Sequence, residues 1–176
     1  MNGLIHYYYG YGKGKTTAAL GLMSRALGQG LRVCLVQFLK DMDTGEVRFL
    51  QRNNVPVLRN QAVAGSGMFA DDMTPEQRAA ICAQHDGHLR QAWEMARRGA
   101  LDLLVLDEVG DALQLGLLEE ALLLEGLDGK PEGLEVVMTG HKTDARLVER
   151  ADYVTEMKKH KHPFDAGVVG RRGVEF

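Results

Sequence analysis

The chain has 176 residues, 45% of them hydrophobic and 26% charged, and its formal net charge is −3 at pH 7. This length suits one domain that buries its own core, so we expect a single domain over residues 1–176 with an irregular tail over 158–176. The weakly acidic balance offers no basic field for nucleic acid or a membrane surface, and neither is expected as a partner. The two cysteines form no CxxC pair and are interpreted as core thiols, and no apolar run is long enough to span a bilayer, so a cytoplasmic location is expected.

The first informative segment is glycine-rich and lies between a predicted strand over 4–9 and a predicted helix that begins near residue 15. It consists of Gly10, Tyr11, Gly12, Lys13, Gly14, Lys15, Thr16 and Thr17. Strand, glycine loop with Gly-Lys-Thr, and helix form the setting of a phosphate-binding loop. Glycines let backbone N–H groups turn toward an anion, the helix N-terminus adds partial positive charge, and Lys15 adds a full charge. We predict a nucleotide site here, with the Thr16 hydroxyl placed to reach Mg²⁺.

The glycine spacing of this loop is a variant. The general motif has its first glycine five residues before the Gly of Gly-Lys-Thr, and Tyr9 stands at that position. Glycines alternate instead at 10, 12 and 14. A glycine-rich turn that binds nothing is the alternative, and the neighbouring lysines and threonines disfavour it.

Further candidate contacts follow the second predicted strand, over 32–39, whose continuous apolar centre is typical of a parallel sheet buried on both faces. Gln37, Phe38 and Lys40 stand at its end. Such residues either line a ligand site, as in open α/β sheets, or mark an ordinary strand-to-loop transition. The irregular stretch over 60–72 carries Met68 and Phe69, which either form a lid over a hydrophobic ligand or pack on the core.

The middle of the chain predicts an edge strand near Pro56 and a long helix that begins at Thr74. Threonine at the cap, proline at the first helical position and Gln77 three residues after the cap are a strong start signal, and the helix should end at Gly99. His85 and His88 fall near its apolar stripe. We interpret both as histidines held by packing and a hydrogen bond rather than as metal ligands.

The second informative segment is 101–108, which ends in Asp107 and Glu108. Within it, the four apolar residues 103–106 followed by Asp-Glu form a Walker B pattern, which would bring both carboxylates to the carboxyl edge of the sheet beside the phosphate loop. One carboxylate is predicted to hold Mg²⁺ and the other to position a water or ligand. The alternative is a strand that simply ends in acidic residues.

The rest of the chain continues the alternation of strands and helices. A leucine-rich helix, or two helices broken at Gly116, precedes predicted strands over 134–140 and 152–157. The alternation predicts an α/β fold in three layers with a mostly parallel sheet, of the P-loop NTPase (RecA-like) type. The irregular tail is expected to dock on the domain. From its chemistry alone, the chain is a Mg²⁺–nucleotide protein: a kinase, an NTPase or another transferase.

The motifs resemble the P-loop type of ATP:corrinoid adenosyltransferase. The segments that carry the resemblance are 12–21, 36–40, 106–108, 137–140, 151–157, 161–167 and 173–176. They cover nearly the whole chain in the family's order. The segment 161–167, Lys-His-Pro-Phe-Asp-Ala-Gly, is the most specific, because generic P-loop proteins have nothing like it.

This resemblance implies an activity: a reduced corrinoid cobalt, Co(I), attacks the 5′ carbon of ATP and releases triphosphate. ATP would lie reversed in the loop, which suits the variant glycine spacing. The implied catalytic residues are Lys13, Lys15 and Thr16, the implied Mg²⁺ or Mn²⁺ ligands are Thr16, Asp107 and Glu108, and the implied corrinoid contacts are Gln37, Phe38, Lys40, Met68 and Phe69. An electron donor for cobalt and a homodimer are also implied.

Three positions depart from the family pattern. Phe69 has no tryptophan nearby, although the family often has Phe-x-Trp in this loop. Tyr11 replaces a frequent Asn or Asp, and His141 replaces a frequent Arg after glycine. A Mg²⁺-dependent ATPase or kinase on the same fold, and a non-catalytic corrinoid or nucleotide binder, remain alternative functions.

Overall fold

A computed structural model describes residues 2–40, 42–60 and 73–175, and within them a parallel sheet of six strands forms the centre of the fold. The strands are β1 (Ile5–Tyr9), β2 (Val33–Gln37), β3 (Val57–Arg59), β4 (Leu103–Asp107), β5 (Glu135–Gly140) and β6 (Tyr153–Glu156). Their order across the sheet is β3-β2-β4-β5-β1-β6. β5 therefore lies between the strand that leads into the phosphate loop and the strand that ends in the acidic pair. The predicted α/β fold with a parallel sheet is confirmed, and β3 is an edge strand as Pro56 indicated.

Helices cover both faces of the sheet. They are α1 (Lys15–Gly28), α2 (Gly45–Arg52), α3 (Pro75–Arg97), α4 (Val109–Gln114), α5 (Glu120–Asp128) and α6 (Ala145–Arg150), with a short 3₁₀ helix at Pro163–Ala166. None of the helices in the described part of the chain is long and apolar enough to cross a membrane. The predicted capping box begins α3: the Gln77 N–H donates to the Thr74 hydroxyl at 3.3 Å and the Thr74 N–H donates to Gln77 Oε1 at 2.8 Å.

The period of two along the strands divides the core into two clusters. In β4, Leu104 and Leu106 pack with α3 and α5 on one face, while Leu103 and Val105 pack with α1 on the other. All five residues of β4 are buried, as are all five of β2. The prediction of three layers is confirmed for the central strands β2 and β4, which have helices packed on both faces.

The two cysteines lie in different environments, and only one of them is a core thiol. Cys34 is fully buried in β2, and burial raises the pKa of its thiol to about 12. Cys82 is partly exposed on α3, with its Sγ 3.6 Å from the carbonyl of Gly116. The prediction of a core thiol was therefore right for Cys34 and wrong for Cys82, because Cys82 lies outside the buried stripe of α3.

Candidate active site

Gly10 and Gly12 of the phosphate loop, residues 10–17, pack directly on the backbone that follows β6. The Gly12 N–H donates to the carbonyl of Met157 at 2.6 Å, and the Met157 N–H donates to the carbonyl of Tyr9 at 2.7 Å. A Cβ on either glycine would lie 2.5 Å from the Met157 carbonyl oxygen. Gly10 also has a φ of 115°, which disfavours any residue with a side chain. This close approach requires glycine at 10 and 12 and gives the variant spacing a structural cause.

The N-terminus of α1 and the Lys15 ammonium face the concave side of the loop. Gly14 is the residue before α1, with a φ of 124°, and the first turn of α1 contains no acidic residue. Lys15 Nζ donates to the carbonyls of Gly10 at 2.6 Å and Gly12 at 3.2 Å. Burial lowers the pKa of Lys15, and nearby carboxylates such as that of Asp111 oppose this effect. Helix dipole, loop amides and ammonium together favour a bound anion.

Asp107 is fully buried at the end of β4, and both of its carboxylate oxygens accept hydrogen bonds. Oδ1 accepts from the hydroxyls of Thr16 at 2.9 Å and Thr139 at 2.8 Å. Oδ2 accepts from Lys40 Nζ at 2.7 Å. The β2–β4 register aligns Gln37 with Asp107. The hydrogen bond between Thr16 and Asp107 therefore joins the phosphate loop directly to the Walker B strand. This agrees with the prediction that the two segments lie side by side.

Lys40 lies between the two acidic residues of the Walker B segment. Its Nζ is 2.7 Å from Asp107 Oδ2 and 3.1 Å from Glu108 Oε1. Burial by itself lowers the pKa of Lys40, but the charges of Asp107 and Glu108 and the hydrogen bonds to them outweigh burial, so the pKa is raised. Burial raises the pKa of Glu108, and the Lys40 charge opposes it. Two carboxylates therefore share one ammonium here.

Glu108 adopts a left-handed backbone conformation. Its φ is 61° at the residue before α4, a conformation that costs a residue with a side chain about 1–2 kcal/mol. Its N–H donates to the Thr139 hydroxyl at 2.7 Å, which helps to hold the turn. Backbone strain of this kind concentrates at functional sites, and here it directs the second carboxylate toward Lys40.

His141 and Tyr11, two of the departures from the family pattern, lie together at the rim of the loop. The His141 N–H donates to Asp111 Oδ2 at 3.0 Å, and its Nδ1 lies 3.1 Å from the same oxygen. The hydrogen bond to Asp111 raises the pKa of His141 against the effect of burial. The ring centroids of Tyr11 and His141 are 6.0 Å apart, and Tyr11 is 61% exposed. The two substitutions therefore form one aromatic pair beside the anion site.

Comparison with known proteins assigns this arrangement to a family. The family model described as ATP:corrinoid adenosyltransferase BtuR/CobO/CobP matches residues 1–176. The chain belongs to the ATP:corrinoid adenosyltransferase family. Relatives named corrinoid adenosyltransferase come from Pseudomonas aeruginosa (37% identical over 99% of this chain and 84% of the relative) and Escherichia coli K12 (33%, over 99% and 86%). A Salmonella typhimurium relative named corrinoid adenosyltransferase CobA is 31% identical over 99% of this chain and 86% of its own length.

The residues that the adenosyltransferase resemblance assigned to the corrinoid lie in different environments. Gln37 and Phe38 are fully buried, because the buried pattern of β2 continues one residue beyond the strand. Lys40 has a quarter of its side chain exposed. Contact of Gln37, Phe38 and Lys40 with a corrin stays a prediction. Met68 and Phe69 lie outside the described residues.

The closing segment of the adenosyltransferase chain contacts the phosphate loop. Lys13 Nζ lies 2.7 Å from Glu175 Oε1, so Lys13 faces the tail while Lys15 folds over the loop. The N–H and Nε of Arg171 also donate to Glu175, and hydrogen bonds from Arg171 and Lys13 hold the pKa of Glu175 well below its usual range. The tail docks as predicted, but through this ion pair, since Phe164 is 70% exposed.

Sequence reasoning missed three residues that shape this adenosyltransferase site. Thr139 bonds Asp107, Met157 supports the loop glycines, and Asp111 holds His141. The strand ending in Thr139-Gly140 was visible as a pattern, but its partner depends on the sheet order. The carboxylate of Asp111 lies one helical turn after Glu108, a spacing that places it on the same side of α4.

Proposed function

We propose that this chain transfers the 5′-deoxyadenosyl group of ATP to the Co(I) centre of a corrinoid and releases triphosphate. The observation that carries the proposal is the family match over residues 1–176. The anion-binding loop supports it, because a triphosphate leaving group needs concentrated positive charge. A direct nucleophilic attack by the substrate needs no nucleophile from the protein.

In this reaction the electron pair of Co(I) forms a bond to C5′ of ATP, and the bond between C5′ and its oxygen breaks. The electrons of the broken bond leave on the triphosphate. Lys15, which already lies over the loop carbonyls, and the loop N–H groups would stabilise that developing charge. Lys13 would join them after its ion pair with Glu175 opens.

A divalent cation fits the oxygen groups around Asp107. Mg²⁺ prefers oxygen ligands and retains several waters, and when bound it would supply electrostatic stabilisation of triphosphate oxygens. Thr16 Oγ1 and the carboxylates of Asp107 and Glu108 would hold it, with triphosphate oxygens completing the coordination. Within residues 2–40, 42–60 and 73–175, no cluster of three or more His, Cys, Asp or Glu side chains is placed to hold a metal ion. The Lys40 ammonium, 2.7 Å from Asp107, marks a position where this chain stabilises positive charge, and Mn²⁺ suits the same oxygens.

The corrinoid would approach the carboxyl edge of the sheet on the side of Lys40, whose partly exposed side chain borders the acidic pair. The proposed corrinoid contacts are Gln37, Phe38, Lys40, Met68 and Phe69. We further propose that residues 1–176 act as one domain, that the enzyme works as a homodimer in the cytoplasm, and that a separate electron donor reduces the cobalt. Cobalamin, cobinamide and earlier cobyrinic acid derivatives all carry the required cobalt.

One assay tests the proposed reaction. The protein is incubated with ATP, Mg²⁺ and chemically reduced cobalamin, while the absorption change of the cobalt–carbon bond and the phosphate products are followed. We expect adenosylcobalamin and triphosphate in equal amounts. ADP or orthophosphate without a spectral change would contradict the transfer and favour an ATPase or kinase, and ATP binding without any product would favour a non-catalytic binder. Omission of the corrinoid is the control, and no triphosphate should then form.

A further inference from the structure

Three oxygen-bearing side chains of the proposed metal site converge on one lysine. Lys40 Nζ lies 2.7 Å from Asp107 Oδ2, 3.1 Å from Glu108 Oε1 and 3.4 Å from Thr16 Oγ1. We propose that the Lys40 ammonium is a place-holding cation, which occupies the divalent-metal position in the nucleotide-free enzyme and leaves it when metal arrives with triphosphate. The inference rests on the metal site of the proposed function.

The charge arrangement explains why the fold needs a cation there. Asp107 is fully buried, and its Oδ1 already accepts two hydroxyl hydrogen bonds. Its Oδ2 has Lys40 as its close donor, since Gln37 Nε2 is 3.5 Å away. A buried carboxylate without a positive partner is strongly unfavourable. The ammonium therefore stabilises the same oxygens that a metal would otherwise neutralise.

The attachment of Lys40 allows its departure. A quarter of the side chain is exposed, and the flexible stem of lysine gives the ammonium several alternative positions. Free Mg²⁺ must displace the Lys40 ammonium from Asp107 and Glu108, and it brings no further group that binds elsewhere on the protein. When Mg²⁺ arrives bound to triphosphate, the triphosphate also binds the loop N–H groups and Lys15. Positive coupling between metal and triphosphate follows, because each partner binds better to the arrangement that the other creates.

The test measures metal binding without nucleotide. Mn²⁺ is titrated into the wild-type protein, Lys40→Met and the control Lys159→Met, and free Mn²⁺ is read by electron paramagnetic resonance. Lys159 pairs with Asp165 in the tail, so its substitution removes the same charge outside the site. We expect Lys40→Met to bind Mn²⁺ about tenfold more tightly, or better, than the other two proteins. Equal or weaker binding by Lys40→Met would overturn the inference.

Thermal unfolding provides a second readout. Lys40→Met should unfold at a lower temperature than wild type without metal, and Mn²⁺ should restore most of the loss while hardly affecting wild type. Adding Asp107→Asn to Lys40→Met should abolish the gain in Mn²⁺ affinity, which locates the bound ion. If Lys40→Met does not fold, Lys40→Gln keeps a hydrogen-bonding side chain of similar length and should change Mn²⁺ affinity in the same direction. A Lys40→Gln protein with wild-type Mn²⁺ affinity contradicts the place-holder role.

These measurements need no corrinoid, so they separate the two proposals. Tighter Mn²⁺ binding by Lys40→Met in an enzyme that forms no adenosylcobalamin would refute adenosyl transfer and leave the role of Lys40 intact. Adenosyl transfer by the wild-type enzyme, together with unchanged Mn²⁺ binding by Lys40→Met, would support the proposed function and refute the role of Lys40.

Discussion

The backbone N–H of Leu39 donates to Nε2 of His85 across 3.3 Å, which ties the turn after β2 to the middle of α3. Leu39 has a φ of 57°, a left-handed conformation that is costly for leucine. His85 Nδ1 lies 2.7 Å from the Leu117 carbonyl, so the fully buried ring is fixed at both nitrogens. A histidine of the core thus holds the strained turn that directs Lys40 to the acidic pair.

Acid should weaken the fold through His85. Its Nε2 accepts from Leu39 and from Asn60 Nδ2 at 3.1 Å, so a proton on Nε2 would face two donors. Burial lowers the pKa of His85 below its ordinary 6.5, and the hydrogen bond to Leu117 only partly opposes this. Because the unfolded chain binds this proton more readily, the stabilisation is complete above pH 6.5 and is lost as pH falls below it. Urea unfolding at pH 7.5 and 5.5 measures the loss.

His85→Asn should show a smaller difference in the free energy of unfolding between the two pH values than wild type does. His160→Asn, which removes an exposed histidine of the tail, should retain the wild-type difference. An unchanged pH dependence in His85→Asn would place the acid sensitivity elsewhere.

A methyl group at Gly12 should disrupt the phosphate loop. The added Cβ would lie 2.5 Å from the Met157 carbonyl oxygen and 2.8 Å from the Lys158 carbonyl carbon, and backbone atoms yield little. We expect Gly12→Ala to lower the free energy of unfolding by about 1–3 kcal/mol and to weaken ATP binding. Thermal unfolding and calorimetric titration with ATP measure the two effects.

Gly21→Ala is the matched control for this substitution. Gly21 lies within α1, and a Cβ there meets nothing within 4 Å. Alanine should therefore raise the free energy of unfolding by about 0.5–1 kcal/mol and leave ATP affinity unchanged. If both alanine variants behaved alike, the contact with Met157 would have no part in shaping the loop.

Lys15→Ala should remove measurable ATP binding. Its ammonium lies over the loop and donates to the Gly10 and Gly12 carbonyls. In that position it could donate hydrogen bonds to phosphate oxygens. Each hydrogen bond to a charged group contributes about 1.5–3 kcal/mol, and several are lost together. Equilibrium dialysis with labelled ATP is the measurement, and Lys159→Ala, a lysine of the tail, should bind like wild type. Full ATP affinity in Lys15→Ala would mean that the loop does not bind the triphosphate.

Loss of the Glu175 charge should strengthen triphosphate binding. Glu175 holds Lys13 at 2.7 Å, and this exposed pair must open before Lys13 reaches an anion on the loop. Exposed ion pairs are weak, so Glu175→Gln should bind inorganic triphosphate at most about fivefold more tightly. Isothermal titration gives the dissociation constants. Glu149→Gln on α6 makes the same change of charge and should leave affinity unaltered, whereas weaker binding in Glu175→Gln would indicate that the tail helps to hold the anion.

Local sequence signals for the starts and ends of helices and strands predicted the fold well. Gly-Lys-Thr, the Thr74 capping box and the acidic end of β4 all mark element ends through local chemistry, and the structure has elements there. The sequence could not predict which strands are neighbours in the sheet. Asp107 meets Thr139 because β5 lies beside β4, and nothing in either segment alone specifies that neighbour.

The support of Gly12 by Met157 joins positions near opposite ends of the chain, and this has a consequence for synthesis on the ribosome. Contacts so distant in sequence form late, because the intervening chain must first be made and closed into a loop. A nascent chain that already displays Gly-Lys-Thr still lacks the backbone against which the glycines pack. We therefore expect the phosphate loop to adopt its folded conformation only after residue 157 has been synthesised.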